Sequence, residues 1–265
     1  MDLCPLIDAW VAALERRHLA GLAFPEVRRA VRALSRIYVE RRDRLAAGDP
    51  LKSPARRAAY ALFYGPLHFL LVREILAALG ADRTPPERIL DLGCGTGAAG
   101  TAWRLSSGGD GRTTGVDRNP WAVGETRFTF RTLGLRGRAF RAGVDGVRLP
   151  GAGSGIVAAF VVNELSPGTR DRLRQRLLRA AGGGARILVV EPIAARILPW
   201  WEEWAEAFRN GRGRADTWRF RLSLPEPVAR LDRAAGLDHS KIKGRSLWLD
   251  PDGGRGLEDG VPNGI

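Results

Sequence analysis

Cysteine is scarce in this 265-residue chain, which contains only Cys4 and Cys94. Two cysteines so far apart do not make a disulfide framework, and they do not supply the clustered thiolates of a zinc or iron–sulfur site. This composition is typical of a protein kept in a reducing compartment. We therefore expect a cytoplasmic location and no bound metal.

The sequence also lacks a long uninterrupted apolar segment and a secretory leader. Its longest uncharged run, residues 58–72, is broken by glycine, proline and histidine and is too short to span a bilayer. The amino terminus carries Asp2 and Asp8 and has no basic region before an apolar stretch, so it does not have the pattern of a signal peptide. We expect no membrane partner.

Lysine is almost absent, whereas positive charge is abundant. The lysines are Lys52, Lys241 and Lys243, yet 42 basic residues face 29 acidic ones, for a formal charge of +13. A GC-rich genome explains why arginine replaces lysine, but it does not explain the excess of basic residues. That excess indicates a polyanionic partner, with coding bias plus solubility as the alternative explanation.

Glycine, in contrast, is concentrated in one stretch. The apolar run 88–92 contains Asp91 and is followed by Gly93, Gly95 and Gly97. Glycine is needed where the backbone is left-handed or where a ligand touches the main chain, and a helix beginning here has unpaired N–H groups. The pattern predicts a strand, a tight turn and a helix, which form the nucleotide-binding corner of a doubly wound α/β sheet.

Two ligand classes fit this corner. Residues 95–100 match the dinucleotide pattern G-x-G-x-x-G. Asp91 would repel a pyrophosphate and suits the ammonium of an amino-acid-bearing nucleotide. A second strand, predicted at 113–117, ends in Asp117, twenty residues after Gly97, where an acid hydrogen-bonds ribose hydroxyls. A glycine turn without a ligand would require both acids to be coincidental.

The stretch 91–97, Asp-Leu-Gly-Cys-Gly-Thr-Gly, resembles the first motif of class I S-adenosylmethionine-dependent methyltransferases. The resemblance covers about residues 85–250 and implies a Rossmann-like sheet that binds S-adenosylmethionine. The residues that it implies for cofactor binding are Asp91, Gly93, Cys94, Gly95, Gly97, Asp117, Arg118, Val144 and Asn163. An acid after the third strand, predicted at 137–142, often bonds the adenine in this family, and either Val144 or Asp145 occupies that position.

A continuous apolar run at 155–162 predicts a central strand buried on both faces. It is followed by Asn163 and Glu164, which we expect beside the transferred methyl group as catalytic residues. The alternative is that they begin the next helix, with a solvated glutamate. A fifth strand is predicted at 185–192.

Residues 1–80 have helical patterns and predict an all-helical N-terminal cap, followed by a methyltransferase domain at 81–250 and a disordered tail at 251–265. In the cap, Tyr60, Tyr64 and His68 share one helix face, which either covers the cofactor pocket or packs in the core, the commoner case. An i, i+4 row of Arg28, Arg32 and Arg36 is either a solvated face or a contact for RNA phosphates.

A narrower resemblance comes from the helical N-terminal region, Trp103 and the strand endings 161–165 and 190–192. These pieces resemble the small-ribosomal-subunit-associated methyltransferase-like family, which is tied to ribosomal RNA or to ribosome assembly. The chain departs from that family in lacking the cysteine cluster that many members carry.

The predicted function is methyl transfer from S-adenosylmethionine to ribosomal RNA or to a small molecule, and the basic composition favours RNA. The ribosomal subunit is accordingly a candidate partner. One alternative is a non-catalytic RNA-binding or ribosome-assembly factor that keeps the cofactor fold. Another is an NAD-dependent oxidoreductase, against which Asp91 argues. The sequence does not indicate an oligomeric state.

Overall fold

The computed structural model describes residues 3–40, 51–193 and 198–251. Its centre is a seven-stranded sheet with the order β3-β2-β1-β4-β5-β7-β6, in which β7 runs opposite to the other six strands. The strands are β1 Arg88–Leu92, β2 Arg112–Asp117, β3 Gly137–Arg141, β4 Ser154–Ala159, β5 Arg186–Glu191, β6 Arg214–Arg221 and β7 Lys241–Leu249. The prediction of a doubly wound, Rossmann-like sheet is confirmed.

Helices cover both faces of this sheet. They are α1 Cys4–His18, α2 Phe24–Glu40, α3 Pro54–Ala59, α4 Gly65–Ala78, α5 Ala98–Ser107, α6 Pro120–Thr132, α7 Pro167–Gly182, α8 Trp201–Asn210 and α9 Glu226–Ala235. Alternate residues of β5 enter different cores: Leu188 packs with α1, α2, α4 and α5, and Val189 packs with α7 and α8. Period-two alternation with both sets apolar is the pattern of a strand buried on both faces.

The N-terminal helices belong to the first of these cores. Trp10 of α1 is fully buried, and its indole Nε1 donates to Thr129 Oγ1 on α6 at 3.3 Å. The buried Glu125 of α6 accepts hydrogen bonds from Arg17 and His18 at 3.0 and 2.9 Å. The predicted division into a cap and a methyltransferase domain stays a prediction, but the helices of the N-terminal region and the sheet share one core.

A π-helical turn, Tyr60–Tyr64, lies between α3 and α4. The Gly65 N–H donates to the Tyr60 carbonyl, five residues back. Pro66 has no N–H, and its ring conflicts with the carbonyl four residues earlier, which the wider turn accommodates. The segment therefore stays helical through this turn, which lies just before the proline.

The stretch Pro54–Ala78 is long and apolar enough to cross a membrane by length and composition alone, and 67% of its apolar 18-residue window is buried inside the protein. That burial is what a core helix requires, because its apolar faces contact α5, β7 and the other N-terminal helices.

The fourth strand is shorter than predicted. It ends at Ala159 rather than at residue 162, and Phe160 takes a left-handed backbone with φ of 60°. The Phe160 ring stacks on His68 with a centroid separation of 3.9 Å, and its N–H donates to the Val190 carbonyl at 2.8 Å. A left-handed phenylalanine costs energy and persists because such neighbours hold it. The following residues form a 3-10 turn, Val162–Glu164.

Other predicted features have local outcomes. Arg32 of the α2 arginine row donates from Nε to the Ala235 carbonyl at the end of α9, so this member has a structural contact. Trp201 and Trp204 of α8 are buried and pack in the core on the α7 side of the sheet. The predicted tail lies outside the described residues except for Pro251.

Candidate active site

The carboxyl ends of β1 and β2 meet at the glycine turn. Gly93, Gly95 and Gly97 all have positive φ, of 65°, 54° and 78°. The Gly95 N–H donates to Asp117 Oδ2 at 3.0 Å, and Asp117 Oδ1 accepts from the Asn119 N–H at 2.8 Å. Asp117 is only half-buried, so each carboxylate oxygen retains acceptor capacity toward a ligand. The structure therefore brings the two predicted nucleotide-binding signals into direct contact.

Asp91, at the end of β1, is enclosed. Its Oδ2 accepts from the Gly100 N–H at 2.9 Å, which ties the strand to the first turn of α5. Its Oδ1 is buried with no hydrogen-bond partner among the described residues. Burial raises the pKa of Asp91 to about 7. The hydrogen bond from Gly100 lowers this pKa, whereas the negative charge of Asp117 raises it further. A buried oxygen without a donor, in a site of two acids, fits a cationic group such as an ammonium.

Cys94 turns its side chain away from the turn. The thiol accepts a hydrogen bond from Thr126 Oγ1 at 3.1 Å, and it lies against Gly115, where an added Cβ would be 2.9 Å from the sulfur. Burial raises the pKa of this thiol well above its ordinary value. Only the main-chain atoms of Cys94 are therefore suited to the predicted cofactor contact, which stays a prediction.

Arg118 and Glu164 come from different strand ends and approach each other. Arg118 Nη2 lies 4.0 Å from Glu164 Oε2, and the arginine side chain is 75% exposed. Glu164 does not cap the next helix, because Ser166 occupies the cap and accepts from the Thr169 N–H. The alternative that residues 163 and 164 begin the next helix is thus wrong.

The two candidates after β3 have different surroundings. The Val144 side chain is buried in the core beneath α7, and its carbonyl accepts from Arg176 at 2.7 Å. The Asp145 carboxylate pairs with Arg172 at 3.0 Å and with Arg176 at 3.8 Å. Both residues are thereby fixed to α7, and an adenine contact by either one stays a prediction.

Asn163 is held by a residue that sequence reasoning missed. Glu191, the last residue of β5, has no solvent exposure and accepts both the Asn163 N–H, at 3.2 Å, and the Asn163 side-chain amide. Since the amide N–H is used in this way, the carbonyl oxygen of Asn163 is the acceptor that remains for a substrate. The sequence signal that could have identified Glu191 is its place directly after the apolar run 187–190.

Asn163 and Glu164 line a cavity of about 340 Å³ that adjoins the glycine turn. The Tyr60 hydroxyl is 3.0 Å from where a Cβ on Gly95 would lie, so the π-helical turn lies over the glycines. The predicted aromatic stripe, Tyr60, Tyr64 and His68, is half-buried: all three residues line the cavity, and the two tyrosines also pack against the core. The lining residues are Tyr60, Tyr64, Leu67, His68, Leu71, Phe160, Asn163, Glu164, Pro192, Asp238, His239, Lys241, Ile242 and Lys243.

The opposite wall of the cavity comes from the start of β7. Because β7 is antiparallel, its first residues reach the edge where β1 to β5 end. Lys241 and Lys243 are exposed there, and His239 bonds Asp232 of α9. These residues carry no local motif, so nothing in the sequence placed them beside Asn163.

The fold and the arrangement of the glycine turn define a class. The chain has the fold of class I S-adenosylmethionine-dependent methyltransferases, as its first motif indicated. Among solved structures, the mitomycin 7-O-methyltransferase is similar over 94% of this chain and 76% of its own, with 16% identity and a TM-score of 0.52.

Among curated proteins, ribosomal RNA small subunit methyltransferase C of Chromohalobacter salexigens is 32% identical over 156 residues. The match covers 57% of this chain and 44% of that relative, so the chain spans less than half of the relative's length. No family model matches the chain. The narrower resemblance to the ribosome-associated family stays a prediction.

Proposed function

We propose that this protein binds S-adenosylmethionine at the glycine turn and transfers its methyl group to an acceptor in the adjoining cavity. The carrying observation is the contact between Gly95 and Asp117, which aligns a glycine turn and a ribose-binding acid beside a cavity lined by Asn163 and Glu164. The unpartnered oxygen of Asp91 supports the cofactor, because its methionine part carries an ammonium group. We propose a cytoplasmic location.

The bound cofactor supplies an electrophilic methyl group, so the protein's own task is to align the acceptor and exclude water. Asn163, oriented by Glu191, offers a carbonyl oxygen that accepts a substrate N–H or O–H. Glu164 follows Asn163, lines the same cavity and takes up the proton of an acceptor that must lose one. Tyr60, Tyr64 and His68 provide flat surfaces against which a planar acceptor packs.

RNA is the acceptor that we favour. The protein carries an excess of basic residues, and its curated relative acts, by its description, on small-subunit ribosomal RNA. An aromatic cavity beside exposed Lys241 and Lys243 suits an unstacked base with its flanking phosphates.

A small aromatic molecule is the second candidate. The cavity volume of about 340 Å³ lies within the range of small-molecule sites. The likeness to the mitomycin 7-O-methyltransferase includes the N-terminal helical region, since it covers 94% of the chain. The same aromatic walls would then hold a phenol or a related ring.

The deciding experiment has two stages. Calorimetric titration with S-adenosylmethionine is expected to give binding that Asp117→Ala abolishes and that Asp110→Ala, at an exposed acid outside the site, leaves intact. Transfer of radiolabelled methyl groups is then measured on unmodified small-subunit ribosomal RNA and on a panel of phenols. We expect label in the RNA, and we expect Asn163→Ala and Glu164→Gln to lower turnover. Glu164→Gln should do so without changing cofactor affinity by more than about threefold.

Absence of cofactor binding in the wild-type protein would contradict the proposal at its base. Binding without transfer to any acceptor, together with tight RNA association, would instead favour the non-catalytic factor.

A further inference from the structure

An arginine-rich groove lies on the sheet away from the candidate active site. It has a volume of about 610 Å³ and is lined by residues of β1, β2 and the edge strand β3, together with the connection that follows β3. The arginines that line it are Arg88, Arg112, Arg136, Arg138 and Arg148. We name it the arginine groove.

The groove exists because part of this sheet face is not covered by a helix. Residues 142–153, all within the described part of the chain, connect β3 to β4 through a 3-10 turn, Val144–Gly146, and contain no α-helix. α7 covers the same face farther along, at β4 and β5, where Leu173 and Leu177 pack. The starts of β1, β2 and β3 are left open, and an open sheet face normally needs a cover or a partner.

The arginines stand next to one another across the strands. Arg88 pairs with Arg112 in the β1–β2 register, and Arg138 pairs with Thr114 in the β2–β3 register. Neighbouring strands are about 4.8 Å apart, so these guanidinium groups share one small surface. Like charges opposite each other destabilise a sheet.

Little negative charge offsets this cluster. Within the described residues the ion pair recorded at the groove joins Arg136 to Asp110, at 3.7 Å, and both side chains are largely exposed. Arg88, Arg112 and Arg138 are exposed and form no ion pair with a described acid. Phe140 is half-buried in the same groove, and the Arg138 guanidinium lies 5.8 Å from its ring centroid. An arginine beside an aromatic ring on an open face offers a phosphate contact and a stacking surface together.

We propose that the arginine groove docks the phosphodiester backbone of RNA. The choice of RNA rests on the proposed function, whereas the docking itself requires no methyl transfer. Phosphates that bind the guanidinium groups relieve the repulsion within the cluster. The same contacts release the cations that had neutralised those phosphates on the free RNA. A five-residue strand spans about 17 Å, so a short run of nucleotides connects the groove, at the strand starts, with the cavity at the strand ends.

The test compares two triple variants of equal charge. Arg88→Gln, Arg112→Gln and Arg138→Gln together remove the cluster. Arg16→Gln, Arg29→Gln and Arg209→Gln together remove three exposed arginines of α1, α2 and α8, none of which lines the groove or the cavity. Binding of a fluorescein-labelled single-stranded RNA is measured by anisotropy, without cofactor, at several salt concentrations between about 50 and 200 mM.

We expect the groove variant to bind RNA at least about tenfold more weakly at the lowest salt. Its slope of log affinity against log salt should be shallower than that of the wild type by about 2. The control variant should keep most of the wild-type affinity and most of the wild-type salt dependence. The thermal midpoint of the groove variant should equal or exceed that of the wild type, because like-charge repulsion has been removed, so weaker binding there is not a folding defect.

Equal loss in the two variants would overturn the inference, since it would mean that only total charge matters. Unchanged binding in the groove variant would also overturn it, leaving the arginines as protection of an open sheet face. If the groove variant loses binding while the wild type methylates no RNA, the docking surface stands and the proposed acceptor fails.

Discussion

Asp117 and Glu191 show what single carboxylates do at this edge of the sheet. Asp117 accepts N–H groups from the glycine turn and from Asn119, so one side chain sets the shape of two loops. Glu191 does the same for Asn163, through a main-chain and a side-chain bond. The geometry of the site therefore depends on buried or half-buried acids that each hold a loop, in addition to any ligand contact.

Gly93 gives a sharp test at this scale. An alanine there would have φ of 65° and a Cβ 2.3 Å from Val161 Cγ2, whereas Gly134 has the same φ with nothing within 4 Å. We expect Gly134→Ala to cost about 1 kcal/mol for the backbone alone and Gly93→Ala to cost at least about 2 kcal/mol more, through overpacking against the turn after β4. Urea unfolding of both variants measures the difference, and equal costs would contradict the close packing.

At the scale of elements, α1 is attached to α6 by a compact polar contact inside an apolar interface. Glu125 is 2% exposed in its side chain and receives Arg17 and His18. Burial by itself raises the pKa of Glu125, but the hydrogen bonds and charges of His18 and then Arg17 outweigh burial and lower it. The bonds from Arg17 and His18 to Glu125 fix the position of α1. Because α1 packs on the π-helical turn, they also help to position Tyr60 and Tyr64.

The pH dependence of this contact has a defined sign. Because the folded-state pKa of Glu125 lies below its ordinary value of 4.5, its stabilisation is complete above that pH and is lost as the pH falls through the lowered value. We expect Glu125→Gln to lower the free energy of unfolding by about 2 kcal/mol at pH 7 and to flatten the decline below pH 4.5. The control is Glu226→Gln at the exposed pair with Arg233, which should cost less than about 1 kcal/mol. A decline below pH 4.5 as steep in Glu125→Gln as in the wild type would contradict this role.

At the scale of the whole molecule, the helices before residue 80 and the sheet are joined by one continuous core. Trp10, Leu34, Phe69 and Trp103 are fully buried members of it. A region that shares a core in this way is expected to unfold together with its partner.

Trp10→Ala tests this cooperativity. Loss of a fully buried indole and of its bond to Thr129 should cost about 3–5 kcal/mol and should shift one single transition. Trp218→Ala, at a half-buried position on the edge strand β6, should cost less. Circular dichroism and tryptophan fluorescence followed in parallel would contradict a shared core if they separated into two transitions.

Local patterns were sufficient for most of the sheet and for the glycine turn at its corner. Glycine spacing after an apolar run, and acids ending successive strands, predicted the turn at Gly93–Gly97 and its proximity to Asp117, because short-range backbone sterics dictate these features. The same patterns predicted β4 too long, since the left-handed turn at Phe160 is imposed by its contact with His68, ninety-two residues earlier in the chain.

What only the tertiary structure decided is which distant segments surround that corner. The antiparallel β7 brings Lys241 and Lys243 to the cavity, and the π-helical turn places Tyr60 over Gly95. The missing helix after β3 exposes the arginine groove. None of these contacts has a local signature, because each follows from strand order and packing rather than from the propensities of neighbouring residues.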